Sequence, residues 1–427
     1  MNTKRIGRLL IVLFLLAAVP GMTAVMAQGQ DPGEPQTSAA WNIFESEPNN
    51  TFATADRIRL NDVVAGLIEG DQGDPNCWGV DYFRFTIPSE RFVLFDTTGI
   101  SSVDTEICLF DEARQELACA QDTDFFYRNL PAGAYYIRLA NTYDDYCGNY
   151  FVAVSSPVLV SAAAGVESGE LPGLLWGFSS DDLLAFSTLN TGQEKWMMVF
   201  EGAALGVTDL WNVATRDGNT DELLLGFGKN QVLTDVDAVT PLDTVIYDPS
   251  DYSPLYGGDF HRWLSGREQG LTLSREKVDA IDGWVRGNGR CSGFPMSTVG
   301  AAAVPTWGGR VLRQDDEDVM CKAFNGNWQP WNAFFDVDGV HDAPSGEPLP
   351  GQIPGLAGED VIAMAYDDAH DVIFLVIQGT GTIWGHPVTQ KDIFAINYPG
   401  YTWGGIVWHG PDHGWNYNID AIESGGN

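Results

Sequence analysis

One short phrase recurs four times in the second half of the chain, and it limits the fold more than any other feature. It reads Leu210-Trp-Asn-Val-Ala214, Lys277-Val-Asp-Ala-Ile281, Asp360-Val-Ile-Ala-Met364 and Asn418-Ile-Asp-Ala-Ile422. Behind each of the first three come a polar turn and a second apolar run: Glu222-Leu-Leu-Leu-Gly226, Trp284-Val-Arg286 and Asp371-Val-Ile-Phe-Leu375. A third run starts with Asp: Asp243-Thr-Val-Ile-Tyr247, Asp318-Val-Met-Cys321 and Asp392-Ile-Phe-Ala-Ile396. A fourth is aromatic: Asp259-Phe-His-Arg-Trp263, Trp331-Asn-Ala-Phe-Phe335 and Gly405-Ile-Val-Trp408. Four strands per repeat is the blade pattern of a β-propeller. Ahead of the first anchor lie Leu174-Leu-Trp-Gly177, Asp182-Leu-Leu-Ala-Phe186 and Trp196-Met-Met-Val-Phe200, which read as strands two to four of a blade without its first strand. The last phrase of the chain is a first strand without its blade. Joining the two closes a four-bladed ring, so residues 173–427 are expected to form a propeller. An open β-solenoid or a second sandwich are the alternatives.

Upstream, the pattern is strand-like but not repeated. In Asp81-Tyr-Phe-Arg-Phe-Thr-Ile87 one face carries Phe83, Phe85 and Ile87 and the other Tyr82, Arg84 and Thr86. Similar runs fall at residues 91–96, 106–111, 135–140 and 150–155, separated by turn residues and without a helical period. They predict an all-β, jelly-roll-like sandwich over residues 45–156. Residues 28–44 and 157–172 are low in charge or rich in Gly, Pro, Ser and Ala, and are expected to be linkers.

Several phrases of the sandwich region match a known family in the right order. They are Glu45-Ser-Glu-Pro-Asn-Asn50 with Thr51-Phe-Ala-Thr-Ala-Asp56, the Gly79-Val-Asp-Tyr-Phe83 phrase, Leu130-Pro-Ala-Gly-Ala-Tyr135 and Asn149-Tyr-Phe-Val-Ala-Val154. Together they resemble the bacterial pre-peptidase C-terminal domain, a small secreted β-sandwich appended to exported proteases and other extracellular proteins. The resemblance covers about a quarter of the chain. It implies a sandwich fold, an extracellular setting and an accessory binding role. In collagen-binding members an acidic segment before the first strand ligates Ca2+. Carried over, this makes Glu45, Glu47, Asn49, Asn50 and Asp81 the candidate metal ligands. A second family Asp just ahead of the Asp-Tyr-Phe phrase would fall near Trp78, which cannot ligate. Closely spaced carboxylates and amides also suit a hard cation that takes six to eight oxygens. A solvated segment packed through Phe52 is the alternative.

Export is also expected from the first residues. Lys4, Arg5 and Arg8 precede an apolar stretch, residues 9–19, and Val25-Met-Ala27 offers small residues for cleavage after position 27. An uncleaved anchor is the alternative. After cleavage no transmembrane segment is expected, and the product is secreted, periplasmic or at the cell surface. The formal charge of the whole chain is −35, which disfavours nucleic acid and anionic lipid as partners. All six cysteines lie after residue 27 without a C-x-x-C spacing, which favours disulfides over zinc. If the hairpin at residues 105–122 turns between Ala113 and Arg114, Cys108 falls opposite Cys119 at a separation a disulfide can span. Cys77 then pairs with Cys147, and Cys291 with Cys321 within the second region.

The chain offers no nucleophile elbow, P-loop or H-E-x-x-H phrase. Asp217, Asn219, Asp221 and Glu222, and Asp336, Asp338 and Asp342, are loose acidic turns that fall short of an EF-hand loop. The long segments of the repeats, residues 229–242, 266–276, 287–309, 339–359 and 379–391, are expected on one face, where loops of a rigid scaffold bind partners. Within them Trp307, His341, Asp342, Trp384 and His386 are the candidate ligand-binding residues, the tryptophans as stacking surfaces for a sugar ring or a protein. The expected function is an exported binding protein for an extracellular protein or a polysaccharide, with Ca2+ in the sandwich. A secreted propeller enzyme such as a glycosidase or lyase, and a structural envelope component, are the competing readings.

Overall fold

A computed structural model describes residues 42–68, 79–97, 105–120, 125–141, 148–166, 169–172, 174, 177–216, 221–250, 253–282, 285–286, 292–305, 311–314, 319–323, 328–329, 353–356, 359–367, 370–397 and 400–424. The expected signal, residues 28–41 of the expected first linker, Cys77, Cys147, Asp217, Asn219, Cys291, Trp307, the aromatic run 331–335, Asp336, Asp338, His341 and Asp342 lie outside them, whereas the end of that linker is corrected to a strand, Ile43–Phe44. The described chain is all-β. Among the described residues no helix is long and apolar enough to cross a membrane.

The N-terminal region is two facing five-stranded sheets. One runs Ile43–Phe44, Asp62–Ile68, Gly148–Ser155, Arg91–Asp96, Phe125–Leu130; the other Asp56–Arg57, Val80–Ile87, Gly133–Asn141, Thr105–Asp111, Glu116–Ala120. This is a sandwich-like arrangement. The alternation in Val80–Ile87 is realised: Phe83, Phe85 and Ile87 are buried with Val93, Phe95, Ile137 and Val152 between the sheets. Arg91–Asp96 breaks the rule, because all six residues are buried. Val93 and Phe95 face the sandwich core, while Phe92 and Leu94 join Tyr127 in a second core with Leu159, Leu183, Phe200, Leu223 and Tyr247. The strand therefore has apolar packing on both faces, and alternation is lost. Cys108 and Cys119 sit directly opposite each other in the Thr105–Asp111 and Glu116–Ala120 hairpin and form a disulfide, 4.1 Å between Cα atoms. Cys321 is also disulfide-bonded, to a partner outside the described residues.

Among the described residues, the C-terminal region holds four antiparallel sheets with a path of four strands each, the third with one further short strand, Val285–Arg286. In order from the first strand, sheet I is Ile419–Ser424, Val158–Ala162, Leu183–Thr188, Glu194–Phe200. Sheet II is Leu210–Thr215, Leu223–Phe227, Thr244–Ser250, Ser253–Leu264. Sheet III is Val278–Ile281, Ser292–Thr298, Met320–Ala323, Trp328–Gln329, and sheet IV is Val361–Asp367, Val372–Ile377, Asp392–Asn397, Thr402–His409. The four first strands are neighbours in the order I, II, III, IV and back to I.

Two expectations about these strands are corrected. The second strand of sheet I is Val158–Ala162, inside the stretch read as a linker, and not Leu174 to Gly177. Its residues are almost all buried, so no polar alternation marks it as a strand. In sheet III the second strand is Ser292–Thr298, within a segment read as a loop; Val285–Arg286 pairs with its outer end. The other long segments are also ordered in part. Gln231–Leu233 with Val236–Val239, Ala302–Pro305 with Val311–Gln314, and Thr380–Ile383 with His386–Thr389 form two-stranded hairpins between second and third strands.

The same local devices recur. Ahead of the third strand, the backbone N–H of Ser179, Thr240 and Thr389 donates to the carboxylate of Asp182, Asp243 and Asp392, at 2.7, 2.9 and 2.7 Å. This explains the Asp that opens each run, since a side-chain carboxylate replaces a backbone acceptor in a tight turn. After the fourth strand of sheets I, II and IV comes a Gly-x-x-x-Gly turn: Gly202 to Gly206, Gly266 to Gly270, Gly410 to Gly414. The second glycine has φ of 80°, 96° and 79°. In each turn the next N–H, of Val207, Leu271 and Trp415, bonds the first glycine's carbonyl at 2.9 Å.

The two regions are not joined by a free tether. Besides the shared core of Phe92, Leu94 and Tyr127, the Lys195 ammonium pairs with Asp96. Asn190 Nδ2 donates to Asp62 at 2.8 Å, and Asn129 Nδ2 to the Arg216 carbonyl at 2.8 Å.

Candidate functional site

The acidic segment at residues 45–50 is fixed by the strand that precedes it. Ile43–Phe44 pairs in parallel with Val64 and Ala65, Asn42 exchanges hydrogen bonds with Asp62 and Val63, and the Glu45 N–H donates to the Ala65 carbonyl at 3.2 Å. This brings the Glu45 carboxylate against the strand ends, where it accepts from the Leu67 N–H and the Tyr150 hydroxyl. Gly66 makes the approach possible, since a Cβ there would lie 2.3 Å from the Tyr150 hydroxyl and 2.5 Å from Glu45 Oε2. Further along, Ser46 is held by Asp56 at 2.6 Å, and the Asn49 carbonyl accepts from the Tyr82 N–H at 3.0 Å. That bond docks the segment on Val80–Ile87 beside Asp81. Asp81 shares the inward face with Phe83 and Phe85 and is 1% exposed.

Glu45, Glu47 and Asp81 each present an oxygen within 4.8 Å of the others. Asn49 is fully buried beside them, its N–H on Glu47 at 3.1 Å and its Nδ2 on Glu45 at 3.5 Å. Two oxygens of the cluster are buried without a hydrogen-bond partner: Asn49 Oδ1 and Asp81 Oδ2. Unsatisfied buried acceptors are costly and rare. Burial, followed by the charge of Glu45, raises the Asp81 carboxyl from 3.8 to about 8, so without a countercharge it holds its proton at neutral pH. Burial likewise raises the Tyr150 hydroxyl. Three carboxyls and an amide oxygen, two of the acceptors unpaired, are a donor set that fits a hard cation. Glu45, Glu47, Asn49 and Asp81 would hold it, and Tyr150 orients Glu45. Asn50, the fifth candidate, is exposed, as is Glu47. Tyr150 and Gly66 escape motif reading, because they join the cluster only through strand pairing of Gly148–Ser155 with Asp62–Ile68.

The second expected locus is the Thr380–Ile383 and His386–Thr389 hairpin. Its two-residue turn is Trp384 and Gly385, with φ of 49° and 84°, the pair of positive angles that suits a tight hairpin. The Trp384 N–H is anchored on the Pro354 carbonyl at 2.8 Å. His386 is exposed and stacks on Trp403, 4.9 Å between centroids and 4° between planes, while Phe394 backs the same indole at 5.8 Å. Trp384 closes the group at 6.1 Å from Trp403. Trp403, two residues before the aromatic run read from the sequence, is the member that reading missed.

Other candidates are accounted for differently. Asp221 lies 3.8 Å from Arg128, and Glu222 pairs with Arg216, so these acids of one acidic turn are committed to cations of the chain. His370, His409 and His413 each pair with a single carboxylate, of Asp367, Asp392 and Glu194.

No protein-family model matches the chain, and no curated protein matches it. Among solved structures, the chain is similar to the pre-peptidase C-terminal domain of collagenase from Bacillus anthracis. The match is 24% identical with a TM-score of 0.20, and covers 24% of this chain and 94% of that one.

Proposed function

We propose that the protein is an exported, calcium-dependent binding protein: a pre-peptidase C-terminal-like sandwich fused to a four-bladed propeller. The ring reading is supported by four sheets of one strand order, first strands adjacent in a closed cycle, and recurring turns between sheets. In it, Ile419–Ser424 completes the sheet that Val158–Ala162 begins and covers the edge that Val158–Ala162 would otherwise expose. The disulfide at Cys108 and Cys119 suits an oxidising compartment. Calcium is the cation proposed for Glu45, Glu47, Asn49 and Asp81. It would pin the N-terminal segment to the sandwich and neutralise the crowded carboxyls.

The observation that carries the binding role is the exposed His386 ring, stacked on the half-buried Trp403 beside the half-buried Trp384 at the turn of a fixed hairpin. A flat aromatic surface of this kind takes a sugar ring or an aromatic-rich protein patch. The test is an array of polysaccharides and extracellular proteins probed with the intact chain, with and without Ca2+. A hit that the double change Trp384→Ala and His386→Ala weakens about tenfold or more, at an unchanged melting temperature, supports the reading. A hit untouched by it moves the binding face elsewhere.

A further inference from the structure

The four first strands share a defect. Each carries a register shift at the same place, between Leu210 and Asn212, Val278 and Ala280, Val361 and Ala363, and at Asp420 opposite Ser161 and Ala162. A bulge re-aims the residue it leaves unpaired. Here the re-aimed residues are Trp211, Asp279, Ile362 and Asp420, and all four line one cavity of about 250 Å³. Asp360, just ahead of its strand, joins them.

The acids of this cavity are not equivalent. Asp420 is satisfied by the Ala164 N–H at 3.1 Å and the Gln390 amide at 3.2 Å. Asp209, before the bulge in sheet II and outside the cavity lining, lies 3.5 Å from the Lys229 ammonium. Asp279 is 2% exposed, and neither of its oxygens makes a hydrogen bond of good geometry, the Asp279 and Ala280 backbone N–H groups being its nearest donors. It faces the Asp360 carboxylate; burial and then that neighbour push its carboxyl well above the usual range. The Lys277 ammonium lies over the Trp211 ring, 5.2 Å from its centroid, and makes no ion pair with Asp279. A buried carboxylate facing another needs a positive partner.

We propose that this cavity binds a hard divalent cation of the calcium class between the carboxylates of Asp279 and Asp360. Among the described residues its charged and polar lining is carboxylate and amide beside the Trp211 indole, with no His or Cys, which selects hard cations over zinc or copper. Its volume is several times the roughly 30 Å³ that liquid water takes per molecule, so an ion fits with coordinating waters. The strong negative charge of the chain raises the local cation concentration.

The experiment uses the intact chain with the sandwich cluster silenced by Glu45→Gln and Glu47→Gln. It is freed of cations by chelation and titrated with Ca2+ by calorimetry at physiological ionic strength, then with Tb3+ excited through tryptophan. The expected result is one saturable Ca2+ per chain. Tb3+ emission is expected too, lowered several-fold by Trp211→Phe at unchanged stoichiometry. Asp279→Asn and Asp360→Asn, each checked for folding by near-UV circular dichroism, abolish the saturable site. Absence of saturable Ca2+ in the silenced chain overturns the proposal and leaves a shared proton between the two carboxyls. Emission indifferent to Trp211→Phe overturns it as well. Both readouts keep Asp279 and Asp360 intact, so misfolding of an Asp→Asn variant cannot mask the answer. If silencing Glu45 and Glu47 leaves the Ca2+ count of the parent chain unchanged, the sandwich reading fails and this one does not.

Discussion

The sandwich and the four sheets both bury acids at strand ends, but they assemble them differently. In the sandwich the cluster is made once. Glu45 meets Tyr150 across 105 positions of sequence, Asp81 arrives through strand alternation, and Gly66 leaves the gap they need. In the sheets the same bulge is made four times, and the residues it turns inward differ from repeat to repeat: Trp211, Asp279, Ile362, Asp420. A site assembled by long-range contacts is lost when one contact fails. A site assembled by repetition can vary at each position while the scaffold stays constant. The regions also differ in self-sufficiency. The sandwich has its own core, yet Phe92, Leu94 and Tyr127 lend one of its faces to the sheets.

The largest expected effect comes from removing the strand that joins the ends of the second region. Truncation after Tyr417 deletes Ile419–Ser424 and leaves Val158–Ala162 as an open edge. We expect loss of the cooperative melt of the sheets and self-association on size exclusion. A truncated protein that melts like its parent and stays monomeric would separate the first strands from the stability of the region.

Next in size is the shared core. Phe92→Ala in the intact chain should cost about 3–5 kcal/mol, because Phe92 is 1% exposed and packs on Tyr127 at 4.9 Å between centroids. In an isolated fragment of residues 42–156 the same change should cost much less, since that face is then wet. Equal costs by denaturant titration would mean that the regions do not pack together.

Gly66→Ala is expected to act on the sandwich alone. The added methyl meets Tyr150 and Glu45, so the melt should fall by about 1–3 kcal/mol. The Ca2+ heat assigned to Glu45, Glu47, Asn49 and Asp81 should be lost with it. Retention of that heat would remove Tyr150 and Glu45 from the site.

The effect that is smallest per step is in pH. Without Ca2+, Asp81 keeps its proton in the folded protein up to about pH 8, whereas in the unfolded chain it ionises near 3.8. Folding therefore takes up a proton between these values, and Ca2+-free stability should fall as pH rises through the window, by at most about 1.4 kcal/mol per unit. Saturating Ca2+ ionises Asp81 and should flatten the slope. Asp81→Asn should flatten it without Ca2+. A Ca2+-free slope unaffected by Asp81→Asn would assign the titration to another group.

The sandwich was the more legible region. Alternation in Val80–Ile87 and the Cys108 register follow from period-two geometry, which a sequence displays directly. Where both faces of a strand are buried, as in Arg91–Asp96 and Val158–Ala162, the alternation vanishes, and the second of these was read as a linker. In the acidic cluster Glu45 and Glu47 were legible because they sit in one short phrase and Asp81 because it opens an alternating run, and Tyr150 and Gly66 were not, because pairing alone brings them in. The Gly-x-x-x-Gly turns were present in the sequence as a repeat. Their use became clear only once each was seen to lead from one sheet into the next.

The central claim is that the two ends of the second region meet in one sheet, on which the rest of that region depends. Amide hydrogen exchange of the intact chain tests it most directly. Ile419–Ser424 should exchange as slowly as Val158–Ala162 and Val361–Asp367, all three at the free energy of global unfolding. Fast exchange of residues 419–424, with Val361–Asp367 still protected, would contradict it and make the end of the chain a peripheral strand.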